Sequence, residues 1–306
     1  MNAVEEDVFS TPAILRQTMA RAEELEGALA HLLQGPMIFL GCGSSYCVGV
    51  AAATLYEMEC QAPAQGIIAS EYRLRPGWAH LAISRTGRTT ELIQAMRSAR
   101  EAQERVALIV GDPGSPAAEH ADAVLPLEFA PERGVVQTRF ITAALLALRL
   151  VIGGAATQRA LHDLPDELSR ALIEFDATPL TSFEHVVFLG RGWRYGLALS
   201  AALTMQETAL LVSEGYQTLE YRHGPIATAD EGTLVWCIDE PDDPVSAGVL
   251  DDVRRTGATV RCIAGDPLAT LAQIHLLAVR MAESRGIDPD APRHLSRAIV
   301  LPTTGL

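Results

Sequence analysis

The chain contains no lysine: all 24 of its basic residues are arginine. Arginine stays protonated and forms no imine with sugars, so any mechanism through a lysine Schiff base is excluded. Bases are also outnumbered by 38 acids, for a net charge of −14. That balance argues against nucleic acid or an anionic membrane as a general partner. Any phosphate must then be held by local geometry. Cysteines are few and odd in number (Cys42, Cys47, Cys60, Cys237 and Cys262), with no C-x-x-C and no histidine at zinc spacing. Reduced thiols and no metal site are expected. Long apolar runs are interrupted by charges such as Arg149, so no bilayer span is expected. The amino terminus, MNAVEEDVF, carries acids where a signal peptide carries bases, which favours a cytoplasmic location over export.

What is present fits a large or two-domain globular protein: 306 residues, 48% of them hydrophobic. The apolar run Met37–Leu40 leads through Gly41-Cys42-Gly43-Ser44-Ser45 into an Ala/Val-rich stretch, Val48–Glu57. Strand, glycine turn and helix make an α/β unit. Phe39, Leu40, Gly41, Gly43 and Tyr46 recur as Phe188, Leu189, Gly190, Gly192 and Tyr195, 149 residues on. Val106–Pro113 similarly recurs as Val260–Pro267, 154 residues on. Two segments at nearly one offset indicate an internal duplication.

Each copy is expected to form a mostly parallel sheet flanked by helices on both faces. Strands are predicted near Met37–Leu40, Gly66–Ala69, Trp78–Ile83, Ala107–Val110 and Ala123–Leu127 in the first copy. In the second they are predicted near Val186–Leu189, Leu234–Ile238, Val260–Ala264 and Arg297–Leu301. Helices are predicted over Ser10–Leu33, starting at Thr11-Pro12, over Leu161–Ala177 and over Leu197–Val212. The expected division is a helical lead-in (1–34), a first domain (35–155) and a second (160–306).

Three segments carry residues suited to chemistry. In Gly41–Ser45, Gly43 lets the backbone turn while Ser44 and Ser45 offer hydroxyls at a helix start, a geometry suited to an anion. The same hydroxyls fit a helix cap equally well. The run Ser84-Arg85-Thr86-Gly87-Arg88-Thr89-Thr90 again joins a strand end to a helix, with hydroxyls and guanidinium groups in close order. Here too the alternative is capping, by Thr89 and Thr90. The corresponding first loop of the second copy, Gly190-Arg-Gly192-Trp-Arg, has no serine, so only the first copy keeps phosphate chemistry. The third segment holds Glu207, on an otherwise apolar helix, and His223, just before Gly224-Pro225. A partly buried carboxylate suits a general base and histidine a proton shuttle. Solvated and structural roles stay open for both.

At these residues the sequence resembles the sugar isomerase (SIS) domain family in its tandem form. It is similar to the isomerase half of glucosamine-6-phosphate synthase and to stand-alone aminosugar-phosphate deaminases and isomerases. The likeness runs from Glu6–Pro12 through Gly41–Tyr46, Ile68–Arg73, Ser84–Thr89, Gly134–Thr138 and His223–Pro225 to Pro292–Arg297. It implies two SIS domains, each a three-layer αβα sandwich. It also implies that Gly43, Ser44, Ser45, Ser84, Thr86 and Thr89 hold a sugar phosphate. Arg85 stands where the synthase has an amide, and Val135 and Gln137 match sugar-contacting positions, Gln137 in place of a serine. Glu207 falls on the family's general base. His223, 16 residues later, falls on the histidine that assists ring opening from a neighbouring subunit, which implies a homodimer. Arg297 replaces the family's imine-forming lysine.

The resemblance thus implies a phosphosugar isomerase or aminosugar-phosphate deaminase acting on a hexose or hexosamine 6-phosphate, with no metal or organic cofactor. The synthase's amidotransferase domain has no counterpart, and Asn2 stands where that domain has its catalytic cysteine. Glutamine-dependent synthesis is therefore not expected. Two alternatives are a non-catalytic, sugar-phosphate-binding regulator and a deglycase of a phosphorylated sugar–amine adduct. The regulator is disfavoured by retention of Glu207 and His223 and by the lack of a basic amino-terminal domain.

Overall fold

The computed structural model describes residues 1–29 and 32–302. In chain order the elements are α1 (Ala3–Ala20), α2 (Ala22–Leu29), β1 (Met37–Gly41), α3 (Ser44–Cys60), β2 (Ala64–Ile68), β3 (Ala79–Ser84), α4 (Thr90–Glu101), β4 (Val106–Val110), β5 (Ala123–Pro126) and α5 (Arg139–Ala160). There follow α6 (Leu164–Ile173), β6 (His185–Gly190), α7 (Arg194–Ala209), β7 (Val212–Gln217), β8 (Thr233–Cys237), α8 (Pro244–Arg254), β9 (Thr259–Cys262) and α9 (Pro267–Ser284). The fold is α/β, with two separate parallel sheets flanked by helices.

The chain divides into two compact units. One comprises Ala13–Glu132, Arg139–His162 and His294–Leu306 and holds the sheet β2-β1-β3-β4-β5. β1, β3 and β4 are buried along their whole length, as expected of parallel strands covered on both faces. Ile38, Leu40, Ala82, Leu108 and Val110 point to one face and pack with Leu92, Ala95, Met96 and Ala99 of α4. Those four positions recur at the three-and-four spacing of a helical stripe. Burying Leu92 and Met96 contributes about 1.5–3 kcal/mol each.

α5 belongs to this unit and corrects one expectation. By length and composition it is long and apolar enough to cross a membrane, yet 72% of that window is buried inside the fold. Arg149 does not interrupt it. Phe140 through Ile152 form a core helix, and the helical geometry breaks at Gly154 (φ 60°).

The second unit comprises Met1–Pro12, Arg133–Thr138 and Asp163–Arg293. Its sheet, β7-β6-β8-β9, repeats the strand order β2-β1-β3-β4 of the first. The duplication extends beyond the turns that first reveal it. A Cβ on Gly66 would lie 2.7 Å from the Val50 backbone, and one on Gly215 would lie 2.6 Å from that of Ala198. Both glycines let the edge strand run tightly under a helix, and they too stand 149 residues apart.

Four further expectations need correction. α1 begins at Ala3 rather than at Thr11-Pro12, and Pro12 lies inside it. The reason is a strong start: Asn2 Oδ1 accepts from Glu5 N–H, and the Asp290 carboxylate accepts from the N–H groups of Ala3 and Val4. α6 is shorter than predicted. β7 occupies a segment expected to carry only the end of a helix and a loop. α7 stops because Leu210 adopts a left-handed conformation (φ 54°), a stop that no glycine or proline signals. Arg297–Leu301 forms no strand; Ile299 and Val300 are exposed, and the segment is held by hydrogen bonds to α4 instead.

Candidate functional site

Eight of the predicted site residues (Gly43, Ser44, Ser45, Ser84, Arg85, Thr86, Thr89 and Arg297) fall in the first unit. β1 and β3 are parallel neighbours, Leu40 pairing with Ala82, so the loops after them emerge side by side at the carboxyl edge of the sheet. A Cβ on Gly41 would stand 2.5 Å from Ser45 C and Tyr46 N. Only glycine lets α3 start so close to the strand end. Gly43 (φ 54°) is the N-cap and has no side chain to cap with. Ser44 and Ser45 are the first residues of α3 and are buried. Capping by these serines, the alternative raised above, is therefore not what they do.

The second loop is shaped by its own side chains. Ser84 Oγ accepts from Gly87 N–H at 2.9 Å, and Thr86 Oγ1 accepts from Arg88 N–H at 3.3 Å. Gly87 has a positive φ of 61°, and a Cβ there would collide with Ser115 Oγ. Thr89 is the N-cap of α4 by position but makes no side-chain capping bond. The carboxyl-terminal segment lies against this loop. Thr90 N–H donates to Ile299 O, Leu301 N–H to Thr90 Oγ1, and Arg85 Nη2 to Arg297 O at 3.1 Å. Arg297 Nη1 in turn donates to Glu132 O. Arg85, Thr86, Arg88, Asp112, Glu132 and Arg297 line a cavity of about 340 Å³ beside the loop. The three guanidinium groups and the Thr86 hydroxyl on this cavity suit an anionic ester, while Asp112 and Glu132 bring carboxylates to the same lining.

In the second unit the matching positions are occupied differently. Gly190 repeats the tight turn, a Cβ there lying 2.4 Å from Arg194 O, and Gly192 repeats the positive φ of Gly43. Leu189 pairs with Cys237 as Leu40 pairs with Ala82. Two residues beyond each partner stand Asp239 and Ser84. The buried Asp239 carboxylate accepts from Arg191 N–H, Thr218 Oγ1 and Ser246 Oγ, all at 2.7 Å. Beside it, hydrogen bonds from Ser246 and Arg191 hold the Asp243 carboxyl down at about 2. This cradle is filled by the protein's own anion. Replacing Asp239 with alanine strips Arg191 N–H and Thr218 Oγ1 of their acceptor, Ser246 Oγ keeping Asp243 Oδ2 at 2.7 Å, and is expected to lower stability by about 2–3 kcal/mol. Asparagine, which keeps an acceptor, should cost less. Urea unfolding checks the pair; equal midpoints for wild type and alanine variant would refute the assignment.

A model of the SIS domain matches residues 34–153 and again residues 180–291. The chain belongs to the SIS domain family. Among curated proteins it is similar to the isomerizing glutamine–fructose-6-phosphate aminotransferase of Zymomonas mobilis, with 29% identity over 97% of this chain and 58% of that protein. The Caulobacter vibrioides counterpart is 30% identical over 86% of this chain and 51% of its own length. The chain thus spans little more than half of these relatives. Among solved structures, glucosamine-6-phosphate deaminase from Thermotoga maritima superposes with a TM-score of 0.77 at 25% identity, covering 94% of this chain and 99% of that one. Tagatose-6-phosphate ketose/aldose isomerase from Escherichia coli shares the fold, with a TM-score of 0.83 at 19% identity over 99% and 97% of the two chains.

The remaining predicted residues of this SIS chain (Val135, Gln137, Glu207 and His223) fall in the second unit. Asp7 accepts from the N–H groups of Arg133 and Gly134 and so anchors the loop carrying Val135 and Gln137. Both are half-buried, and Gln137 Oε1 is buried with no hydrogen-bond partner. Glu207 is half-buried near the carboxyl end of α7. His223 closes a single 3-10 turn, Glu220–His223, and is exposed. Gly224, at φ 141°, then breaks the chain direction ahead of Pro225.

One sequence signal was missed here. Glu71-Tyr72-Arg73 after β2 recurs as Glu220-Tyr221-Arg222 after β7, at the same 149-residue offset; the first triplet leaves a 3-10 turn (Ala69–Glu71) and the second opens one (Glu220–His223). By that offset His223 corresponds to Leu74 and Glu207 to Met58, both exposed apolar residues. At these positions the two copies differ: Glu207 and His223 in one stand where the other has Met58 and Leu74.

Proposed function

We propose that this chain is a phosphosugar isomerase or aminosugar-phosphate deaminase acting on an open-chain hexose or hexosamine 6-phosphate. Ser44, Ser45, Ser84, Thr86 and Thr89 hold the phosphate with Gly43 and Arg85, while Val135 and Gln137 contact the sugar. The observation that carries this reading is the contrast between the two cradles. In one unit Arg85, Thr86, Arg88 and Arg297 line a cavity at the loop after β3, whereas in the other a buried Asp239 occupies the position that matches Ser84.

Glu207 is the general base. It takes the proton from C2 of the aldose, giving a cis-enediol, or an enolamine when C2 bears an amine, and returns it to C1. With a hydroxyl at C2 the product is the ketose. With an amine it is a ketose imine, which water hydrolyses to ketose and ammonia. No lysine is required, in keeping with the composition. Arg297 stabilises the oxyanion of the intermediate, so Arg297→Ala should lower kcat about 10²-fold; unchanged turnover of that variant would remove the role. His223, exposed at its turn, assists ring opening in a second copy of the chain, and equilibrium sedimentation checks the homodimer this requires.

The test is turnover of a panel of hexose and hexosamine 6-phosphates, following ketose and ammonia separately. Conversion of at least one member supports the enzyme. Tight binding across the panel with no conversion would favour a regulator instead.

A further inference from the structure

Cys237 and Cys262 have no part in the chemistry above, and both are free. They are direct partners in the parallel pairing of β8 with β9. In-register neighbours project to the same sheet face, at a Cα separation of about 4.8 Å, inside the ~4.4–6.8 Å range of disulfides. Both pack in the apolar cluster under α8 with Val235, Val249 and Val253. Their environments differ. Cys237 is fully buried at the end of β8, whereas Cys262 is half-buried on edge strand β9, where its Sγ donates to Asp239 O at 3.2 Å.

We propose that Cys237 and Cys262 form a peroxide-oxidisable dithiol, with Cys262 as the attacking thiolate and Cys237 as the resolving thiol. The hydrogen bond from the Cys237 thiol favours ionisation of Cys262, with Arg254 adding attraction, while burial, the Asp239 and Glu240 carboxylates and the bond that the Cys262 thiol donates to Asp239 O oppose it; the net direction for Cys262 is downward. The same hydrogen bond and burial push Cys237 upward, keeping it a thiol. The Cys262 thiolate attacks one oxygen of a hydroperoxide, the O–O bond breaks, and the leaving alkoxide or hydroxide takes a proton. Cys262 is then a sulfenic acid. Cys237 sulfur, giving up its proton, attacks Cys262 sulfur; the S–S bond forms, the S–O bond breaks, and water leaves. Two thiols and one hydroperoxide thus become one disulfide, one alcohol (or water) and one further water. The bond clasps β9 to β8 beside the Asp239 carbonyl.

The experiment treats the full chain with hydrogen peroxide, quenches it in denaturant with N-ethylmaleimide, and maps tryptic peptides by mass. Cleavage at arginine places Cys237 in His223–Arg254 and Cys262 in Cys262–Arg280. Cys60 is an internal reference, exposed and with a thiol pushed upward by burial and by Glu59. The expected result is a joined pair of peptides, two hydrogens lighter, appearing at least tenfold faster than loss of the Cys60 thiol. In Cys237→Ser, Cys262 should stop at the sulfenic acid and be trapped by dimedone. In Cys262→Ser, Cys237 should remain fully alkylated. Oxidation of Cys60 ahead of the pair, or Cys262 passing to sulfinic acid in the wild type without a joined peptide, would overturn the proposal; neither reading depends on either serine variant folding.

Discussion

Glu207→Gln is expected to lower turnover of the sugar phosphate by about 10²–10⁴-fold, the usual contribution of a positioned general base. Glutamine keeps the size and helix propensity of glutamate but cannot take up a proton at neutral pH. The residue is half-buried near the end of α7 and packs no large apolar group into the core, so the fold should tolerate the change. The phosphate is assigned to hydroxyl loops of the first copy, so affinity for a hexose 6-phosphate, read as a thermal shift, should stay near that of the wild type. Loss of turnover without loss of binding is the pattern that distinguishes a base from a structural carboxylate. A fully active variant would remove Glu207 from the mechanism.

Gly41→Ala and Gly190→Ala form a matched pair with a different expected outcome for each. A Cβ on Gly41 meets only backbone: Ser45 C at 2.5 Å, Tyr46 N at 2.5 Å and Ser45 O at 2.6 Å. None of these can rotate away, so the start of α3 must move, carrying Ser44 and Ser45 with it. Overpacking of this kind costs about 1–3 kcal/mol, and phosphate affinity should fall more than tenfold. Gly190 suffers the same collision with the start of α7. Gly190→Ala should therefore lose similar stability but keep phosphate affinity, with turnover falling because α7 carries Glu207. Chemical denaturation and isothermal titration with a hexose 6-phosphate separate the two. Equal loss of affinity in both variants would contradict the division of labour between the copies.

The duplication was legible because its anchors are positions where backbone geometry tolerates no substitute. Gly41 and Gly190 must let a helix approach a strand end, so the same residue survives in both copies. The hydroxyl loops were legible for a related reason: polar side chains at a buried strand end need a purpose. What escaped was structure whose cause lies outside the local sequence. Leu210 ends α7 in a left-handed conformation without glycine, hiding β7. Ile299-Val300-Leu301 looks like a strand, but its hydrogen bonds run to Thr90 rather than to a sheet. The acids from Asp239 to Asp243 resemble a solvated loop. Only the donors contributed by Arg191, Thr218 and Ser246 reveal Asp239 as a buried, hydrogen-bonded carboxylate. Val135 and Gln137 came from family likeness alone, because the Asp7 anchor of their loop is 126 residues away from Arg133.

Proton transfer between neighbouring carbons leaves an isotopic mark whichever product forms. Incubating the wild-type chain with hexose and hexosamine 6-phosphates in deuterium oxide, with proton NMR at C1 and C2, reads it directly. The account predicts deuterium entering one of those carbons in at least one substrate, with exchange abolished in Glu207→Gln. Full retention of both protons across the panel, despite saturable binding, would contradict it.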